Sequence, residues 1–152
     1  MIKNQNGFSL IEILIALTLM ALAGTFVAGK FFQSLHEGRV KAANIQMQSL
    51  EGRLKEFRRH CNFYPSTEQG LEALVSKPAS GRDCRNYAQG GYVDGDEIPL
   101  DPWDNDYIYE SEGSRFTLYS YGADGSDGGE GEDADIYHRG KKKTAEEDQE
   151  NI

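Results

Sequence analysis

An apolar stretch of 22 residues, Phe8 to Gly29, is interrupted by a single acid, Glu12, and this pairing constrains the chain more than anything else in it. At about 1.5 Å rise per residue, such a stretch is long enough as a helix to cross a hydrocarbon core of about 30 Å. An ionisable side chain at membrane depth costs about 2.5–3.5 kcal/mol on insertion scales and marks a functional position by default. A removed secretory signal is the other reading. It requires a shorter apolar region of roughly 7–15 residues and a small-residue cleavage site. Here the basic part before the run is only Lys3, and Lys30 and the basic residues of 39–59 follow without a break in helical character. The stretch therefore reads as a retained membrane anchor over 8–29, with the leader 1–7 on the cytoplasmic side and the rest exported. Lys3 competes with Lys30, Arg39 and Lys41, so the positive-inside rule adds little.

Beyond the anchor, Ala43, Met47, Leu50, Leu54, Phe57 and Cys61 recur in steps of three and four, the signature of one apolar helix face. A single helix from Phe8 to about residue 60 is expected, its exported half packed on a small domain. Gly24, Gly29, Gly38 and Gly52 each weaken it by roughly 1 kcal/mol relative to alanine. Pro65 then ends the helix, because it holds its predecessor extended. Ser66 or Thr67 can cap a short second helix, Glu68 to Ser76, which Lys77-Pro78 stops. Residues 79–98 read as a loop. Tyr107–Tyr109 and Phe116–Tyr121 alternate as strands, with a turn at Glu110–Ser114 between them. So small a sheet needs a cover, and the stripe on the long helix is the available one. The fold class is α+β, with the helix laid across a small antiparallel sheet. Arg139 to Ile152 is highly charged without apolar pattern, the composition of a disordered tail. Cys61 and Cys84 are the only cysteines and fit either one disulfide or two unpaired thiols. A bridge of that loop length contributes about 3–3.5 kcal/mol in an oxidising compartment.

The junction Gly7-Phe8-Ser9-Leu10-Ile11-Glu12 resembles the type IV prepilin processing site. The resemblance implies a pilin-like fold, cleavage between Gly7 and Phe8 by a prepilin peptidase, and N-methylation of Phe8 by the same enzyme. It also gives Glu12 a partner in a helical filament: the Phe8 ammonium of a neighbouring subunit, which would pair two otherwise costly charges. Many pilins carry a proline where the anchor ends. Gly29 stands here instead, as a softer break or as a glycine tolerated at a boundary.

The soluble part narrows the resemblance. Tyr64-Pro65-Ser66-Thr67-Glu68-Gln69-Gly70-Leu71-Glu72-Ala73-Leu74-Val75, then Asn86-Tyr87 with Gly90-Gly91-Tyr92, then Asp101-Pro102-Trp103, are similar in kind and order to the major pseudopilins of type II secretion. Two departures stand out: Asp104, where that family usually has glycine, and Tyr137-His138-Arg139, where it commonly has Gly-Asn-Trp. The resemblance implies a leader (1–7), a polymerisation helix (8–29), a periplasmic domain (30–138) and a tail (139–152). It further implies a single-pass inner-membrane protein that polymerises with itself. Minor pseudopilins, an inner-membrane assembly platform, membrane lipid and an outer-membrane secretin are its implied partners. A type IV pilus subunit for adhesion or motility shares the anchor and is the alternative.

Charge is divided unevenly. Residues 94–135 hold 14 acids against Arg115 alone, whereas 1–93 hold 11 Lys+Arg against 7 Asp+Glu. A solvated acidic face is the plain meaning of such a run. The segment Gly122–Ile136, however, mixes five glycines with six acids, and a divalent cation would offset both the repulsion and the flexibility. Calcium, which takes 6–8 oxygens in flexible geometry, suits it. An EF-hand would need flanking helices and a glutamate at its twelfth position, where Asp135 stands, and one glycine-rich nonapeptide repeat cannot stack into a roll. The pseudopilin resemblance implies one structural calcium held by Asp124, Asp133 and Asp135, with Ser126 and the Tyr121 carbonyl as further ligands.

Catalysis finds no support in the motifs. His36, His60 and His138 are scattered, and no phosphate-binding glycine loop is present. A net charge of −9 and the acidic exported half disfavour nucleic-acid binding.

Overall fold

The computed structural model describes residues 9–139, apart from the side chains of 24–29. The first helix, α1, spans Leu10–Cys61, 52 residues. It opens with the Ser9 carbonyl accepting the Glu12 and Ile13 N–H groups at 3.0 and 3.2 Å. Glu12 stands in its first turn, and Arg58, Arg59 and His60 in its last, each where the helix dipole favours that sign. The helix stops before Pro65 is reached. Asn62 takes a left-handed conformation (φ 63°), and its N–H closes on the Arg58 carbonyl at 2.8 Å. An asparagine just past the last turn, one of the residues that tolerate this region, thus supplies the stop anticipated from the proline.

The chain divides into two compact units between Gly38 and Arg39. In the first, large apolar side chains face outward: Leu10 is 80% exposed, Met20 72% and Phe32 66%. A helix apolar on all sides is suited to lipid or to other helices rather than to water. Among the described residues no helix is long and apolar enough to cross a membrane. The anchor anticipated over 8–29 includes Phe8 and the side chains of 24–29, which lie outside them, as do the leader, Gly7 and residues 140–152 of the tail.

The second unit holds the core. Ala43, Met47, Leu50, Leu54, Phe57 and Cys61 of α1 are all buried, as the three-and-four spacing requires. They join Tyr64, Leu71, Leu74, Tyr92, Tyr107, Tyr109, Leu118 and Ile136 in one cluster. Phe57 is its centre, with ring centroids 5.8, 6.1 and 5.4 Å from Phe63, Tyr87 and Tyr92. Cys61 and Cys84 are bonded, with Cα atoms 4.9 Å apart, so the loop after residue 79 is tied to the end of the helix.

The short second helix is smaller than anticipated. Only Leu71–Leu74 forms a 3₁₀ turn, preceded by Gly70 at φ 60°, ψ −165°, a conformation that interrupts a helix begun at Glu68. Ser66 and Gln69 do cap one another: the Gln69 N–H donates to Ser66 Oγ at 3.2 Å and the Ser66 N–H to Gln69 Oε1 at 3.0 Å. Thr67 instead bridges to Ser111 on the sheet, at 2.9 Å from its N–H.

Strands β1 (Ile108–Ser111) and β2 (Phe116–Ser120) form the expected hairpin, each one residue shorter at its outer end, while β1 runs two residues further than anticipated because Glu110 and Ser111 pair with Thr117 and Phe116 instead of belonging to the turn. A third strand, β3 (Ile136–Tyr137), pairs antiparallel with β2 in the order β1-β2-β3. Two residues are too short to show a period, which is why sequence patterning passes over it. At the turn Asp101-Pro102-Trp103-Asp104, Asp104 keeps a left-handed φ of 66° and donates its N–H to the Asp101 carbonyl at 3.0 Å. Aspartate occupies a backbone position that suits glycine, and aspartate is among the non-glycine residues enriched there.

Candidate functional site

Three features carry the functional reading: the helix start around Glu12, the acidic loop, and the contacts that anchor that loop's two ends. Glu12 is exposed on the isolated chain, and its anticipated partner, Phe8, lies outside the described residues.

The acidic loop leaves β2 at Tyr121 and returns at β3. Its start is fixed by a buried carboxylate. Asp101, only 3% exposed, accepts the Trp103 and Asn105 N–H groups on Oδ1 at 2.9 and 2.8 Å, and the Ser120 hydroxyl on Oδ2. Ser120 Oγ accepts the Gly122 N–H at 2.9 Å, and Asn105 Nδ2 donates to the Gly122 carbonyl at 3.2 Å. Such an Asx turn converts one side chain into a template for several backbone donors. The Asp101-Pro102-Trp103 motif thus sets where the loop begins. Its end is fixed by Asp135, whose Oδ2 accepts the Gly128 N–H and the Tyr137 hydroxyl, both at 3.1 Å. Tyr137 stacks on Tyr119 across the β2–β3 pair at 4.7 Å. Burial, then the hydrogen bond and charge of Asp135, push the Tyr137 phenol well above its ordinary pKa, so it donates throughout the physiological range.

Between those ends lie Asp124, Ser126 and Asp133, all exposed. The Ser126 N–H donates to Asp124 Oδ1 at 3.1 Å, a local turn. Among the described residues no three His, Cys, Asp or Glu side chains gather as a metal cluster, so Asp124, Asp133 and Asp135 are placed on one loop without converging. One atom points to a ligand nonetheless. Asp135 Oδ1 is buried and has no hydrogen-bond partner. A buried carboxylate oxygen left unsatisfied carries a penalty of about 1–3 kcal/mol, more when charged, and an oxygen-seeking cation relieves it.

Sequence patterning missed Glu51. It follows Leu50 on the apolar stripe and is only 6% exposed. Lys55, His138 and Arg139 reach its carboxylate at 2.8, 3.0 and 2.8 Å. Burial pushes its pKa up, but the hydrogen bonds from Lys55 and His138 and the charges of Lys55 and Arg139 more than offset this, holding it below the ordinary carboxylate value. The visible signal was the pairing of Glu51 with Lys55 one turn on. His138 and Arg139, the residues that depart from the family's usual ending, fasten the chain after β3 to α1 through this acid.

A long N-terminal helix whose second half covers a three-stranded antiparallel sheet, closed by a disulfide and an acidic loop, defines the pilin-like class. Comparison with known proteins makes this specific. Residues 2–28 match the prokaryotic N-terminal methylation motif, and residues 30–139 match the type II secretion system protein G family. The chain is 38% identical over 136 residues to the type II secretion system core protein G of Vibrio cholerae, covering 88% of this chain and 91% of that one. It is 36% identical to the core protein G of Pseudomonas aeruginosa, covering 88% and 94%. It also superimposes on the crystal structure of the major pseudopilin of the type 2 secretion system of enterohaemorrhagic Escherichia coli. The TM-score is 0.60 at 36% identity, with 70% of this chain and 90% of that one covered. The chain belongs to the type II secretion system protein G family, the major pseudopilins.

Proposed function

We propose that this chain is a structural subunit that polymerises into a periplasmic pseudopilus, which drives export of folded proteins through a type II secretion system. The observation that carries the reading is the match to protein G across 30–139, joined to the methylation motif over 2–28. The prepilin peptidase cuts between Gly7 and Phe8 and methylates Phe8. The subunit waits in the inner membrane with its soluble domain in the periplasm, anchored by residues 8–29. It is then taken up by an assembly platform and grows, capped by minor pseudopilins, toward an outer-membrane secretin. The outward-facing Leu10, Met20 and Phe32 support burial against lipid first and neighbouring helices afterwards. In this role the chain is a mechanical part and performs no catalysis.

Glu12 on one subunit pairs with the Phe8 ammonium of the next. Glu12→Ala is expected to leave cleavage intact while filament yield falls about tenfold or more, the effect of losing roughly 1.4 kcal/mol per contact. Mass spectrometry of the mature chain checks the cleavage, and sheared-filament assays check the yield. A normal yield from this variant would overturn the role given to Glu12.

Calcium is held by Asp124, Asp133 and Asp135, with Ser126 and the Tyr121 carbonyl completing an all-oxygen set. Support comes from the partnerless, buried Asp135 Oδ1 and from the acidic, glycine-rich loop around it. When bound, the ion neutralises the loop's repulsion and fixes its path. The protein's own part is to hold the two ends, at Gly122 through Ser120, itself held by Asp101, and at Gly128 through Asp135. Calcium at 100 times its Kd should stabilise the fold by about 2.7 kcal/mol over a chelated sample. That raises the melting temperature by several degrees or more. Equal melting curves with calcium and with chelator would remove the site.

A further inference from the structure

Lys55, Arg58 and Arg59 of α1 line a groove of roughly 650 Å³ with Gly52 and Tyr64. A neighbouring groove shares Lys55 and Tyr64 and adds Arg115 and Arg139. Arg58 stacks on the Tyr64 ring, 5.0 Å from its centroid, which fixes one cation at the edge of the groove. A Cβ at Gly52 would meet nothing within 4 Å, so this side of the groove is open. The ordinary reading of Arg58 and Arg59 is that they complement the C-terminal end of the helix dipole. That does not account for Arg115, which comes from the β1–β2 turn, or Arg139, which follows β3. Cations from three elements thus converge on one surface. Among the described residues, the ion pairs made there go to Glu51, through Lys55 and Arg139, and no acid pairs with Arg58, Arg59 or Arg115.

A basic surface on a chain of net charge −9 calls for an acidic partner, and another copy of the chain presents one. Residues 123–133 are exposed throughout, and Glu130 and Glu132 stand among them without being assigned to the metal. We infer that the two adjoining grooves that share Lys55, one lined by Arg58 and Arg59 and the other by Arg115, take Glu130 and Glu132 of the acidic loop of a second copy. This rests on the assembly reading above. The two surfaces differ, so the contact is heterologous: each subunit offers a groove to one neighbour and a loop to the next, and association propagates rather than closing on a dimer. Charge matched in this way sets register and partner choice more than raw affinity. Ordering of the loop by calcium would present the two glutamates in a fixed place.

Full-length variants expressed with the assembly machinery test this. Arg59→Glu with Arg115→Glu, and separately Glu130→Lys with Glu132→Lys, should each cut filament yield about tenfold at unchanged melting temperature. All four changes in one chain should restore yield to within about threefold. A photo-crosslinking residue at position 59 of the otherwise unaltered chain gives a readout independent of the charge changes, and should capture the 130–132 region of a neighbouring subunit. Unchanged yield in the reversals, no recovery in the combination, or a crosslink to another segment or another acidic protein would overturn the contact. If filaments of the unaltered chain form without this crosslink, only the contact fails. If that chain forms no filament, the assembly reading fails with it.

Discussion

Phe57→Ala is expected to lower the unfolding free energy of the soluble unit by about 3–5 kcal/mol, the range for truncating a buried aromatic. The side chain is 1% exposed, and three aromatic rings meet it at centroid distances of 5.4–6.1 Å. Those rings come both from within the disulfide loop and from beyond it, so the vacated space cannot be closed by shifting one element. Phe63 lies just beyond the helix, whereas Tyr87 and Tyr92 lie beyond Cys84. Denaturant unfolding measures the loss. A midpoint shift equivalent to less than about 1 kcal/mol would mean that the core does not centre on this ring.

Replacing both Cys61 and Cys84 by serine should cost about 3–3.5 kcal/mol, the chain-entropy value for a loop of this length. The bond spans 23 positions of sequence, and the intervening chain contributes Leu71, Ala73 and Leu74 to the core. Opening the bridge therefore loosens the unfolded chain and leaves residues 79–98 held by Tyr87 and Tyr92, by the Gln69–Ser80 hydrogen bond and by the ion pairs of Asp83 and Asp94. Tyr87 donates its hydroxyl to the Ala73 carbonyl at 3.1 Å, while the Tyr92 hydroxyl accepts the Ala88 N–H at 3.3 Å. Reduction of the native protein should reproduce the double mutant's stability. Because Tyr92 touches both Phe57 and Cys61, the two losses should not add. A reduced protein as stable as the oxidised one would remove the structural role of the bridge.

The long helix and its buried face were legible because regular spacing over 19 residues, from Ala43 to Cys61, leaves one period that fits. The hairpin was legible from its aromatic alternation. What was not legible depended on contacts distant in sequence. Strand β3 is too short to carry a pattern, and it exists because Tyr119 and Ser120 have open backbone groups for Tyr137 and Ile136. Glu51 looks like a surface acid of a helix until His138 and Arg139, 87 and 88 positions away, arrive beside it. The turn at Leu71–Leu74 went the other way, since a local capping signal at Ser66 and Gln69 was present and Gly70 still broke the helix. Of the acidic loop, the sequence carried the composition, and the structure adds the two fixed ends and the partnerless Asp135 oxygen.

The side chains that build the core begin at Val40 and Ala43, whereas Leu10, Met20 and Phe32 remain 66–80% exposed. Among the described residues, the core of the second unit is built without the side chains of residues 10–23 and 30–38. In the assembly role proposed above, folding of the second unit and recruitment of residues 10–38 are two separate equilibria, the first independent of protein concentration and the second governed by it. In that role a subunit can exchange what covers residues 10–38 without disturbing its own core.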